Sequence, residues 1–143
     1  MSLDIRLAAM RAELDGAVSR DTFWAKLQAR IAILEEDRAV LELAPAASRC
    51  NLAGVVHGGE SAAMLDQACG LAANATTEGR WVTGKAELVY RAPVPGQAAL
   101  ICEARVANRR GRQAVVEGEI RTAEGDCALV TAHMTFVRLR DQP

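Results

Sequence analysis

The sequence predicts an α+β fold in which one buried helix packs on one long antiparallel sheet, with extra helix at the N-terminus. Three observations carry this reading. Residues 60–79 are apolar or small around every side of a helical wheel, the pattern of a helix enclosed on all faces. From residue 81 onward, polarity alternates with period two, as in strands. The connectors in that region are short and rich in glycine and proline, as links between antiparallel neighbours are.

Taken in order, Leu3, Leu7, Met10 and Leu14 recur at helical spacing and Ser2 is a candidate N-cap, so a helix is expected over 3–17, ending near Gly16. Asp21 could cap a short helix over 22–28. Ile31 and Ile33 alternate with smaller or polar residues, Glu36-Asp37 makes a turn, and Val40, Leu41 and Leu43 follow. A hairpin of strands at 29–35 and 38–44 is expected there. Pro45 to Gly59 reads as loop. After the helix at 60–79, strands are expected at 81–91, 98–107, 113–122 and 127–138. Hairpin-type links are expected at Pro93–Gly96, Arg109–Gly111 and Glu124–Asp126. At 143 residues the chain is one domain over 1–143, with 1–21 as a helical extension.

Composition narrows the function classes. The chain has 28 alanines and five aromatic residues. A core with so few large anchors requires its elements to approach closely, and favours burying more surface by oligomerisation. The net charge of −1, from 17 basic and 18 acidic residues, argues against nucleic acid as the main partner. Apolar runs are too short for a membrane span, and no secretion signal is seen at the N-terminus. Cys50, Cys69, Cys102 and Cys127 form no CxxC pair, and the two histidines lie far apart. Reduced thiols, a cytoplasmic location and no metal site are therefore expected.

Two features bear on chemistry. Asp66 interrupts the apolar helix among Ala62, Ala63, Leu65, Ala68 and Cys69. A carboxylate there needs a partner. It either makes a structural hydrogen bond or ion pair, or serves as a general base whose pKa desolvation raises. The second feature, His57-Gly58-Gly59, opens that helix, where unpaired N–H groups and the positive dipole end suit an oxyanion hole. It can equally be an ordinary tight turn. Eight helical residues span about 12 Å and turn roughly 80° past two full turns. One small carbonyl therefore does not easily meet Gly58 and Asp66 of the same helix. If both act, a two-fold dimer with antiparallel helices would bring the Asp66 of one copy to the Gly58 of the other.

The string Asn51-Leu-Ala-Gly54-Val-Val-His57-Gly58-Gly59, followed by Asp66, resembles the signature of the hotdog-fold acyl-CoA thioesterases, in particular the phenylacetate-degradation (PaaI-like) branch. The stretch from Trp81 through Thr83 to Tyr90 and Pro93 resembles the family's next strand, and the likeness covers roughly residues 22–138. The resemblance implies a hotdog fold, a long central helix wrapped by a curved antiparallel sheet. It also implies a homodimer or tetramer of dimers with interfacial sites, hydrolysing an acyl- or aryl-acyl-CoA with no cofactor beyond the coenzyme A of the substrate.

Carried over, Asp66 would be the general base or nucleophile. Gly58, with Gly59, would polarise the thioester carbonyl by backbone N–H groups. Asn51 would position the thioester or water, and Thr83 would orient the water. Each also has a plain structural use: Asn51 as a loop cap, His57 as a ring hydrogen bond holding the loop, and Thr83 as an ordinary strand residue. Glu60 departs from the family, which commonly has an apolar residue there. It either favours the helix dipole or lines the acyl pocket. Arg109, Arg110 and Arg112, or Lys85 and Arg91, could hold the coenzyme A phosphates, or lie solvated on the surface. A non-enzymatic acyl-CoA-binding protein and a hotdog hydratase or dehydratase are the alternatives. The first would bind acyl-CoA without turnover, and the second would yield a new C=C bond rather than a free thiol.

Overall fold

The computed structural model describes residues 1–142. Helices α1 (Leu3–Ala17) and α2 (Phe23–Leu27) precede a hairpin of β1 (Ala29–Glu35) and β2 (Arg38–Leu43). Helix α3 (Gly58–Asn74) follows, and then β3 (Trp81–Tyr90), β4 (Leu100–Arg110), β5 (Gln113–Thr122) and β6 (Val130–Arg138). The strands form one antiparallel sheet in the order β1-β2-β4-β5-β6-β3. This is the long helix on an antiparallel sheet that the sequence predicts, with α1 as the extra helix.

Several boundaries differ for local reasons. Ser2 caps α1, accepting from the Ile5 N–H. Helix α2 is capped by Thr22, which accepts from the Ala25 N–H, and not by Asp21, whose carboxylate pairs with Lys26 at 3.4 Å. Asp37 takes the left-handed conformation (φ 59°) that closes the β1–β2 turn. Helix α3 starts two residues earlier than the apolar run and stops at Asn74 rather than Gly79. The Asn74 carboxamide donates to the Gly70 and Trp81 carbonyls and accepts from the Trp81 N–H, turning the chain into β3. Strand β4 lies two to three residues later than expected, and β6 begins at Val130. The segment Pro93–Gly96 is a crossover and not a hairpin link, because β3 pairs with β6 while β4 lies between β2 and β5.

One face of α3 lies on the sheet. Met64, Leu65, Ala68, Cys69 and Ala72 are fully buried there. Under them lie small or slender residues of alternating strand positions, Ala104, Ala114, Val116, Ala132 and Met134. Burying Met64 or Leu65 in this way contributes roughly 1.5–3 kcal/mol each. The closest approach is over Gly118, where an added Cβ would stand 2.9 Å from the Cys69 sulfur and 3.1 Å from Leu65 Cδ2. Burial also pushes the Cys69 thiol up to about 12, with the charge of nearby Asp66 adding to it.

The opposite face of α3 is open. Asp66 is exposed, and Ala62, Ala63, Gln67 and Gly70 are partly exposed. The helix is therefore not enclosed on all sides by its own chain. Its small residues line a stripe that a single chain leaves uncovered. Beside that stripe runs β3, an edge strand with Val82, Val89 and Tyr90 exposed.

Gly118→Val should destabilise the protein by about 1–3 kcal/mol, because the branched side chain overpacks the α3–sheet contact. Urea unfolding checks this: the midpoint should fall with an unchanged slope.

Candidate active site

The loop before α3 is held by backbone pairing around a turn. Asn51 N–H donates to the Val55 carbonyl at 2.8 Å, and Asn51 Oδ1 accepts from the N–H groups of Ala53 (2.9 Å) and Val55 (3.3 Å). Gly54 occupies the left-handed region (φ 81°), which glycine enters without steric cost. His57 N–H donates to the Arg49 carbonyl at 2.8 Å, and Val56 N–H donates to the Val94 carbonyl at 2.9 Å. Asn51 thus does cap the loop, with its oxygen fully used and its side-chain N–H groups without a partner among the described residues.

His57 is the N-cap of α3. Its Nδ1 accepts from the Gly59 N–H at 3.0 Å, an acceptor role that places any ring proton of the neutral imidazole on Nε2. The Gly59 N–H is therefore spent on the cap, which removes it as the second oxyanion donor. The Gly58 N–H has no partner among the described residues and sits at the positive end of a helix of 17 residues. Tyr90 braces the same residue: its hydroxyl donates to the Gly58 carbonyl at 2.7 Å, and its ring would stand 3.5 Å from a Gly58 Cβ.

Asp66 lies two turns further along α3. Thr83 Oγ1 donates to Asp66 Oδ1 at 2.6 Å, a short charge-assisted bond that orients the carboxylate. Thr83 reaches it because β3 is irregular there. The register against β6 shifts between Thr83 and Lys85, and such bulges re-aim side chains. Gly84 fills the irregularity, where a Cβ would come within 2.9 Å of Val137 Cγ2.

The remaining candidates separate. Glu60 faces Arg49, whose Nε lies 3.4 Å from Glu60 Oε1. Arg49 is buried and also donates to the carbonyls of Ala44 and Leu27, both at 2.5 Å. The Glu60 carboxylate thus serves a buried guanidinium that ties α3 to the end of α2. Arg109 does not sit free at a hairpin tip. It pairs with Asp37 at 2.7 Å, donates to the Ala73 carbonyl, and stacks 4.9 Å from the Trp81 ring centroid. Its guanidinium is a structural clamp and not a free phosphate ligand. Arg91 Nε donates to Thr131 Oγ1, beside Glu103, Glu117 and His133 and away from Asp66. Lys85 pairs with Glu87 at 2.9 Å, and Arg112 caps the Arg138 carbonyl. Arg110 is exposed, with no carboxylate partner among the described residues.

The structure thus joins Asp66 to Thr83, Gly58 to Tyr90, and His57 to Gly59. Arg49 and Tyr90 brace the start of α3, and local pattern does not single them out. Tyr90 is visible in the sequence only as the aromatic that ends β3. Arg49 looks like any loop arginine until the fold buries it.

Comparison with known proteins bears on the fold that carries these residues. The thioesterase superfamily profile matches residues 53–129, the stretch from the Asn51 loop through α3 to the start of β6. A conserved protein from Pseudomonas aeruginosa is 26% identical over 85% of this chain and 97% of its own, with a TM-score of 0.76. A mutant of the phenylacetic acid degradation protein PaaI from Thermus thermophilus is 25% identical over 83% of this chain and 100% of its own, with a TM-score of 0.75. Escherichia coli PaaI, at 20% identity, shares the fold over 94% of this chain and 96% of its own, with a TM-score of 0.79. No curated protein matches the chain. With the motif, the fold and the profile in agreement, the chain belongs to the thioesterase superfamily and adopts its hotdog fold in the PaaI-like form.

Proposed function

We propose that the chain hydrolyses an acyl- or aryl-acyl-CoA to the free acid and coenzyme A, in sites shared between two copies. The supporting observation is the division of the machinery along α3. An oriented carboxylate, Asp66 held by Thr83, stands on the open face. An unpaired N–H, that of Gly58, stands about 12 Å away at the helix start.

In this reading Asp66 takes the proton of a water that attacks the thioester carbonyl, or attacks that carbonyl itself. The carbonyl oxygen becomes an oxyanion and is met by the Gly58 N–H of the second copy. Collapse breaks the C–S bond, and the departing sulfur takes a proton to leave as the thiol; where Asp66 itself attacks, the acyl–Asp66 anhydride so formed is then hydrolysed by water, which releases the acid and restores the carboxylate. Asn51 contributes its free side-chain N–H groups at the rim, and the exposed Arg110 is the remaining arginine of its cluster for the coenzyme A phosphates. The coenzyme A of the substrate is the one cofactor involved. The reading involves neither nucleic acid nor membrane, and no helix among the described residues is long and apolar enough to cross one. Four free cysteines suit a reducing compartment, and we place the activity in the cytoplasm.

The second copy also accounts for the uncovered surfaces. An edge strand with exposed apolar residues templates pairing, and the small-residue stripe of α3 permits close helix approach. Two copies related by a two-fold axis cover both at once.

Asp66→Asn should lower thioester turnover by about a hundred- to ten-thousand-fold with the assembly intact, measured as thiol release. Thr83→Val should lower kcat about tenfold, on the scale of one charge-assisted hydrogen bond, with KM little changed. Light scattering should give a mass of at least twice 15.3 kDa; a strict monomer with full activity contradicts the shared site.

A further inference from the structure

Strand β3 touches both halves of the candidate machinery. Near its start, Thr83 donates to Asp66 Oδ1 at 2.6 Å. At its end, the Tyr90 hydroxyl donates to the Gly58 carbonyl at 2.7 Å. One strand thus reaches two groups that lie about 12 Å apart along α3.

A regular strand could not do this. Thr83 and Tyr90 are seven positions apart, and an odd separation puts side chains on opposite faces of a sheet. Yet both face α3. Thr83 pairs with Phe136 and Tyr90 with Val130, two buried residues on the same face of β6. The register shift between Thr83 and Lys85 makes the difference. Gly84 is the extra residue there, opposite nothing on β6, and one extra residue exchanges the two faces of the strand beyond it.

The bond from Tyr90 is not needed to satisfy either partner. The Gly58 carbonyl lies in the first turn of α3, where the helical ladder already supplies it an N–H. Tyr90 is 53% exposed, so water can serve its hydroxyl. What the bond does is fix a peptide plane. The Gly58–Gly59 peptide is held at both ends, its carbonyl by Tyr90 and its N–H by His57 Nδ1 at 3.0 Å. In the peptide before it, the His57 carbonyl accepts from the Ser61 N–H at 3.1 Å. The Gly58 N–H is the remaining polar group of these two peptides, and the other three set its direction. The Tyr90 ring, 3.5 Å from the position of a Gly58 Cβ, closes the side toward β3.

We infer that Tyr90 is a positioning residue for the oxyanion donor, and that the bulge at Gly84 phases β3 so that one strand aims both the Asp66 carboxylate, through Thr83, and the Gly58 N–H, through Tyr90. The inference rests on the reading of Gly58 as that donor. In a shared site the two groups of one copy work in different sites, so each β3 serves both sites of the pair. Oxyanion stabilisation needs its donor held where charge develops, and a misplacement of about 1 Å can cost roughly a hundredfold in rate.

Tyr90→Phe keeps the ring and removes the hydroxyl. Its kcat for thiol release should fall about three- to tenfold, the scale of one neutral hydrogen bond. KM should hardly change, because the donor it aims acts in the transition state. Amide hydrogen exchange, followed by nuclear magnetic resonance, gives a readout independent of turnover. The N–H groups of Gly59 and Ser61 should exchange several-fold faster in Tyr90→Phe as the turn opens more often. Thr83→Val, at the other end of β3, should lose turnover and leave those two amides as in the native protein. Tyr90→Phe with native kcat overturns the inference. So does a loss of kcat with neither amide exchanging faster, or an equal quickening in Thr83→Val, which reports a general loosening of β3. Faster exchange in Tyr90→Phe alone, with no thiol released by the native protein from acetyl-, octanoyl- or benzoyl-CoA, upholds the brace and overturns hydrolysis instead.

Discussion

The close contact of α3 with the sheet is the constraint on which the rest of the molecule depends. Gly118 has no side chain because the Cys69 sulfur and Leu65 already fill its space. Ala104, Ala114 and Ala132 keep the neighbouring strands low. With few aromatics available, the core gains its burial by proximity rather than by large anchors. A helix seated this deeply on one side presents its other side outward, and that side carries Asp66. The same residues that make the core thin therefore set the height of the carboxylate above the sheet and its distance from Thr83 on β3.

At the start of the helix, hydrogen-bond accounting decides what is available for chemistry. Most N–H groups of the loop from Arg49 to His57 are paired, His57 takes the Gly59 N–H, and Tyr90 takes a lone pair of the Gly58 carbonyl. Two first-turn donors, the N–H groups of Gly58 and Glu60, are left without a partner among the described residues, and that of Gly58 stands at the very start of the helix. Arg49 and Glu60 hold this end of the helix to α2 through a buried guanidinium, and Arg109 with Asp37 holds the other end. Both ends are pinned by charge, and the open stripe between them is lined by small side chains.

Much of this was legible in the sequence. Alternation places the strands within a few residues, and the alternate residues Val130, Ala132, Met134 and Phe136 of the last strand are all buried. The end of α3 is not marked in composition, because the Asn74 side chain turns the chain out of the helix. The pattern of α3 does not distinguish full enclosure from one open side, because alanine and glycine satisfy an apolar pattern whether they face a sheet or stand uncovered. Arg109 looked like a solvated hairpin charge because its partner Asp37 is 72 residues away in the chain. The bond from Thr83 to Asp66 depends on an irregularity in β3 that Gly84 hints at but does not specify. The resemblance placed Asp66, Gly58 and Thr83 in named roles, and the fold supplied the geometry that separates Gly59, Arg91 and Arg109 from them.

The central claim is that one copy lends Asp66 and the other Gly58, and a mixing experiment tests it directly. Gly58→Pro deletes the N–H at the first helical position, where proline is well tolerated, and Asp66→Ala deletes the carboxylate. Each variant alone should be nearly inactive. Unfolded together in equal amounts and refolded, they should regain about a quarter of native thiol release, because half the dimers are mixed and each mixed dimer holds one intact site of two. A mixture no more active than the sum of its parts would contradict a shared site.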